Sequence, residues 1–231
     1  MSDSDVETRE GESQGRKVVL HFVRHGEAGY SGWDDAEGYL TEKGKVQAAL
    51  AGEKIFKELP KGVVVEFLSS HRRRAVETIA IIEKKIEELA QVDDKDFLLH
   101  KKQKKETLSY QRLGMSDEMT WEALKLRRQK EEEVIYWLQH EGKIPEEIEK
   151  NFGSLFKHLS YFTRHLSVGP DVHIILSTHT GSAEVLVGKL LGKTSIDTLA
   201  NCEEFTITMP TSGRDIEIKY KDLEERVKLN E

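Results

Sequence analysis

The chain has 231 residues, 37% hydrophobic and 33% charged, with a formal net charge of -7. That length suits one large domain or two small ones, and the acidic balance speaks against a nucleic-acid-binding protein. A single cysteine, Cys202, excludes an intramolecular disulfide framework, no apolar run reaches the roughly 18 residues of a spanning helix, and the acidic N-terminus lacks a signal-peptide core; the expectation is a cytoplasmic protein without membrane contact.

In chain order, residues 1–16 hold one valine and no other large apolar residue, so burial cannot offset their ordering entropy and they read as a disordered acidic tail. "KVVLHFV" is β-branched and apolar and predicts a strand. "LTEKGKVQAALAGEKIFKELP" predicts a helix capped by Thr41, with Val46, Ala49, Leu50, Ile55 and Phe56 near helical spacing. "GVVVEFLSS" predicts a second strand. "RRRAVETIAIIEKKIEELA" predicts a second helix with Ala75, Ile79, Ile82 and Ile86 as its apolar stripe. "DFLLH" suggests a third strand. Residues 101–150 are heavily charged and predict a helical cap inserted into a single domain spanning 17–231. Residues 145–167 carry Ile148, Phe152, Leu155, Phe156, Leu159 and Phe162 at amphipathic spacing. "VHIILSTH" is a nearly continuous apolar strand, as expected when both faces are covered. "GSAEVLVGKLLG" is a helix closed by Gly192. "EEFTITMPTSGRDIEIKY" predicts two strands about a Ser212-Gly213 turn, and "DLEERVKLNE" a short helix or tail. Strands alternating with helices predict an α/β three-layer sandwich, its central sheet mostly parallel with helices on both faces.

Chemistry in such sheets gathers at the carboxyl ends of the strands. Three strands end in Arg24-His25-Gly26-Glu27, in Ser69-Ser70-His71-Arg72-Arg73-Arg74 and in Thr178-His179-Thr180-Gly181. In a parallel sheet these tips converge, bringing histidines, arginines and helix N-termini together. Helix N-termini and guanidinium forks both favour phosphate oxygens. An arginine beside His25 works against its protonation, and a neutral imidazole in such a pocket can attack phosphorus.

"VRHGEA" at 23–28, "LTEKGKVQA" at 40–48, "SSHRRRAVETI" at 69–79, "STHTG" at 177–181 and "LLG" at 190–192 together resemble the histidine phosphatase superfamily, which includes cofactor-dependent phosphoglycerate mutases and acid phosphatases. The ordered set covers most of residues 17–209 and is far more specific than a lone RHG triplet. The resemblance implies a phosphoglycerate mutase-like fold. It implies that His25 is the nucleophile, that Arg24 and Arg74 clamp the phosphate, and that His179 is the second histidine, bonded to a phosphoryl oxygen. Arg74 is chosen over Arg72 and Arg73 because the family's arginine directly precedes the alanine. The family also protonates the leaving group with an acid after the third strand; Glu106 is the choice here, with Glu118 and Glu122 as rivals, because the usual glycine and tryptophan context is not clearly present. No metal and no cofactor is expected.

Other residues have blander readings beside them. Tyr30, Trp33, His71 and Thr180 are candidates for the substrate pocket, or else ordinary loop residues. His21 is expected at a layer interface or just behind the pocket residues. His100, His140, His158, His165 and His173 are expected to be structural or exposed, and their spacing forms no metal-ligand set. Three activities remain open. The favoured one is a phosphomonoesterase acting on a phosphorylated small molecule or phosphoprotein. The others are phosphoglycerate mutase-type transfer, echoed in "SGWDDAEGYLTEKG", and non-catalytic phosphate binding. The sequence does not give the oligomeric state.

Overall fold

The computed structural model describes residues 16–29, 38–70, 72–93, 95–99, 169–179, 182–193, 196–210 and 215–228. Residues 1–15 of the expected tail, the cap at 101–150, the helix at 145–167 and the Ser212-Gly213 turn fall outside these residues.

The elements, in chain order, are β1 (Lys17–Arg24), β2 (Ala28–Gly29), β3 (Tyr39–Leu40), α1 (Glu42–Glu58), β4 (Val64–Ser69), α2 (Arg73–Val92) and β5 (Leu98–Leu99). There follow β6 (Val172–Thr178), α3 (Ser182–Leu191), β7 (Glu204–Pro210), β8 (Asp215–Tyr220) and β9 (Leu223–Lys228). Seven strands form one sheet in the order β5-β4-β6-β1-β7-β8-β9. The first four run parallel, and β7, β8 and β9 extend the sheet by antiparallel pairs.

Strand alternation separates two cores. Val18, Leu20 and Phe22 of β1 join Ile174, Leu176, Phe205, Ile207, Ile216 and Ile218 against Ala183, Leu186 and Val187 of α3. Phe22 stacks on Phe205 with ring centroids 4.6 Å apart. On the opposite face Val23, Val65, Phe67 and Ile175 pack against Ile55 and Phe56 of α1 and Ile79, Ile82 and Ile86 of α2. Helices therefore cover both faces, as expected of the three-layer α/β sandwich, and β6 is buried along nearly all its length.

Three local readings change. Val46 and Leu50 are 59% and 58% exposed, because α1 turns a small-residue face inward: Gly44, Ala48, Ala51 and Gly52, with Ile55 and Phe56. That face permits close approach to α2; a Cβ on Gly52 would sit 3.0 Å from the Lys85 Cβ. The C-terminal "LEERVK" is a strand, not a helix or tail. A two-residue turn with Lys221 at φ 53° folds it onto β8, where backbone pairing along an otherwise open edge outweighs helix propensity. Its exposed Glu224, Glu225 and Arg226 make it a charged edge. The small antiparallel pair β2–β3, which fastens the segment after Glu27, has no signal in the sequence because each strand is two residues long.

Candidate active site

Register places the three strand tips level. Arg24 pairs with Thr178, and Ser69 with Ser177. Just beyond, His25 N–H donates to Thr178 O at 3.0 Å and Ser70 N–H to Ser177 O at 3.1 Å, so the ladder continues one residue into each loop. The backbone of His25 and Ser70 is thus fixed by the sheet rather than by loop packing.

Around His25 the bonds select a tautomer. Nδ1 lies 2.8 Å from Gly26 O, and a carbonyl only accepts, so Nδ1 carries the hydrogen. Nε2 lies 3.1 Å from Arg74 Nε, which only donates, so Nε2 presents its lone pair. His25 and Arg74 are each 5% exposed. The His179 ring centroid is 5.2 Å from that of His25. His179 Nε2 is 2.5 Å from Ser70 Oγ, and Ser70 is buried. Arg24 donates through Nη1 to Leu199 O. Of the four residues singled out by their motifs, His25 lies against Arg74 and beside His179, while Arg24 directly precedes His25 and turns its side chain to Leu199 O.

The loop after His25 is held from beneath. Gly26 N–H donates to Thr78 Oγ1 at 3.0 Å, and the same hydroxyl donates to Arg74 O at 2.7 Å. Thr78 therefore couples the His25 loop to the turn of α2 that carries Arg74. Glu27 binds Lys43 Nζ at 2.7 Å and accepts from Thr41 Oγ1 at 3.0 Å, which holds its carboxyl below the usual carboxylate range. Thr41 also caps α1, accepting from Gly44 N–H at 3.0 Å. The helix cap and the loop thus share one hydroxyl.

The first turn of α2 has no acidic residue, and Arg72, at its N-cap, makes no capping bond through its side chain. Arg73 and Arg74 put positive charge at the positive end of the helix dipole, and Glu77 on the next turn meets that of Arg73. Arg73 is exposed, lying 3.5 Å above the centre of the Tyr39 ring and 3.4 Å from Glu77 Oε1. Tyr30, Trp33, His71, Glu106, Glu118, Glu122 and Thr180 lie outside the described residues. Burial pushes the Cys202 thiol up to about 12, so it carries no thiolate near neutrality.

Ser70, Thr78 and Glu184 are buried polar residues at or beneath this site that the motif reading passed over. Ser70 had a signal, since it follows an apolar strand directly. Thr78 and Glu184 lie in helical stripes whose apolar neighbours give no hint of a polar partner. His21 is buried at the sheet–α1 layer, as expected, between Glu204 Oε1 at 2.5 Å and His173 Nδ1 at 2.8 Å. His173 is likewise buried.

Residues 20–217 match the histidine phosphatase superfamily (branch 1), and the chain belongs to that family. Among solved structures it is similar to mycobacterial hydrolase 1 (18% identity, TM-score 0.56, covering 91% of this chain and 100% of that one). It is also similar to a mycobacterial glucosyl-3-phosphoglycerate phosphatase in complex with inorganic phosphate (17%, 0.55, covering 90% and 97%). A phosphoglycerate mutase from Bacillus anthracis str. Sterne is a third (18%, 0.50, covering 86% and 90%). At these identities the likeness establishes the fold, a phosphoglycerate mutase-like one. No curated protein matches the sequence. Among the described residues no helix is long and apolar enough to cross a membrane.

Proposed function

We propose that the chain is a phosphomonoesterase working through a phosphohistidine on His25. The observation that carries this is the lone pair of His25 Nε2, set by the Nδ1 bond to Gly26 O and met by the Arg74 guanidinium at 3.1 Å. An imidazole in this tautomer is a nucleophile without prior loss of a proton, and the adjacent cation draws a phosphoryl oxygen to it.

In this reading Nε2 attacks phosphorus and the bond to the leaving alcohol oxygen breaks. Glu106 gives its proton to that oxygen. Its carboxylate then takes a proton from the water that splits the phosphohistidine, returning inorganic phosphate and free His25. Arg24, Arg74 and a protonated His179 meet the charge on the equatorial oxygens and supply there the positive charge that metal ions supply in other phosphoryl-transfer sites. Arg74, buried beside His25 Nε2 in the first turn of α2, supports an anionic ligand at the positive end of that helix. Tyr30, Trp33, His71, Thr180 and a helical cap at 101–150 would then select the alcohol, on a phosphorylated metabolite or a phosphoprotein.

The test is phosphate release from an aryl phosphate and a panel of metabolite phosphates, in the presence of chelator, by wild type and His25→Ala. Release by wild type and none by a folded His25→Ala is the expected outcome. Substantial activity in the variant overturns the nucleophile. No release by wild type turns attention to mutase transfer, tried with a bisphosphorylated primer, and after that to non-catalytic phosphate binding.

A further inference from the structure

Glu184, in the first turn of α3, is fully buried, and nothing in the proposed chemistry uses it. It sits among Ala183, Leu186 and Val187, where an apolar side chain would pack without the cost of desolvating a charge. The α3 N-terminus favours its charge, yet that does not explain why a carboxylate is needed there.

Its contacts do. Glu184 Oε1 accepts Leu199 N–H at 3.0 Å. The carbonyl of the same residue, Leu199 O, accepts from Arg24 Nη1. The adjoining groups continue the pattern, with Ala200 N–H donating to Glu203 Oε2 at 2.6 Å and Lys221 Nζ donating to Thr198 O at 2.9 Å. Two successive peptide units therefore each have the N–H on a carboxylate and the C=O on a cation. Such bonds polarise a peptide and strengthen one another. The same loop also grips the Arg24 main chain, through Arg24 N–H to Glu203 O at 3.1 Å and Cys202 N–H to Arg24 O at 3.0 Å.

We propose that Glu184 is a positioning residue for the phosphate clamp: it fixes Leu199, and the Leu199 carbonyl sets the plane of the Arg24 guanidinium. A guanidinium presents its donors in one rigid plane, so holding one terminal nitrogen orients the others. The inference rests on the reading of Arg24 as a phosphate ligand, and it adds the group that holds Arg24 in place.

The experiment compares wild type, Glu184→Gln, Arg24→Lys and the double variant. Inorganic phosphate is the probe, with two readouts: its affinity, and the Arg24 Nε–H signal in nuclear magnetic resonance, assigned by its loss in Arg24→Lys. Glu184→Gln is expected to weaken phosphate about tenfold and to shift the Arg24 signal. In the Arg24→Lys background it should change affinity less than about twofold, because coupled residues are not additive. Equal weakening in both backgrounds, or an unmoved Arg24 signal, overturns the proposal. Should Glu184→Gln fail to fold, Glu184→Asp keeps the charge and draws it back from Leu199, and the same two readouts apply with a smaller shift. If wild type binds no phosphate, the functional reading fails, while the response of the Arg24 signal still decides this inference.

Discussion

Replacing Gly44 by alanine strikes the contact that sets the height of the His25 loop. A Cβ at position 44 would lie 2.0 Å from Glu27 O, 2.9 Å from Glu27 N and 3.0 Å from Glu27 C; the reciprocal Cβ on Gly26 would lie 2.5 Å from Gly44 O. All these neighbours are backbone, so none can swing aside. Ordinary contact begins near 3.4 Å, and α1 must therefore move from the loop by more than about 1 Å. That movement stretches the bonds joining the same two segments: Thr41 N–H to Glu27 O at 3.0 Å, Thr41 Oγ1 to Glu27 Oε1 at 3.0 Å and Glu27 N–H to Gln47 Oε1 at 2.9 Å. Overpacking and weakened bonds together cost about 3 kcal/mol, and the better helix propensity of alanine returns about 1 kcal/mol at most. A net loss of about 2–3 kcal/mol lowers Tm by roughly 5–10 °C in a chain of this size. His25 is two residues from the contact, and a displacement of this order costs about 10²-fold in kcat/KM. Gly62→Ala is the control: its Cβ meets nothing within 4 Å and only its φ of 75° is unfavourable, so about 1 kcal/mol is lost with no change in activity. Thermal unfolding and aryl phosphate turnover read both. A Gly44→Ala protein within 2 °C (roughly) of wild-type Tm and within about twofold of its kcat/KM would refute the argument.

Burial, with His21 beside it, pushes the His173 imidazole down to about 4, so it stays neutral in the folded protein while its unfolded counterpart protonates near 6.5. The unfolded chain then binds the extra proton. Stability is full above pH 6.5, falls as pH drops toward 4, and loses about 3 kcal/mol across that window. Denaturation midpoints between pH 7.5 and 4.5 should drop more steeply in wild type than in His173→Gln; equal slopes would show that His173 is not the group. Thr78→Val keeps the shape of the side chain but leaves Gly26 N–H without its acceptor, so it should cost about 1–3 kcal/mol and reduce kcat/KM. Unchanged turnover at a lower Tm would confine Thr78 to stability. Glu106→Gln should slow alkyl phosphates far more than aryl phosphates, whose leaving group needs little protonation; equal slowing of both, or none, moves the acid to Glu118 or Glu122.

Much of the fold was legible because its signals are local. β6 reads as buried from its apolar run alone, and the Ala75-Ile79-Ile82-Ile86 stripe lies where its spacing puts it. The placement of Arg24, His25, Arg74 and His179 at strand ends and a helix start was legible, because a parallel sheet brings such ends together. What failed depends on partners far along the chain. The buried face of α1 is set by how closely its glycines and alanines approach α2 and the His25 loop, and hydrophobicity does not encode that. "LEERVK" spaces Leu223 and Val227 four apart, as a helix would, and only the open edge of β8 makes it a strand. Thr78 and Glu184 were silent because their partners are backbone groups of Gly26 and Leu199, and a sequence shows side chains only.

The division of the sheet separates what places the strand tips from what orients their side chains. The parallel strands deliver Arg24, His25 and Ser70 to one edge, but a strand tip fixes only the backbone. Side-chain orientation comes from elsewhere. His25 is set by Gly26 O and Arg74, while His179 rests on Ser70. Arg24 is held from the antiparallel side, where the loop leading into β7 supplies Leu199 O. That loop is itself anchored to β8 and its turn, through Tyr220 to Asp197 O and Lys221 to Thr198 O. The antiparallel extension is therefore a support for Arg24, the proposed phosphate ligand, as well as an edge of the sheet. It follows that Tyr220→Phe, which removes one anchor 23 residues from the loop it holds, should weaken phosphate binding without altering any residue of the pocket. Isothermal titration with inorganic phosphate measures this, and an affinity equal to wild type would show that the loop keeps its place without Tyr220.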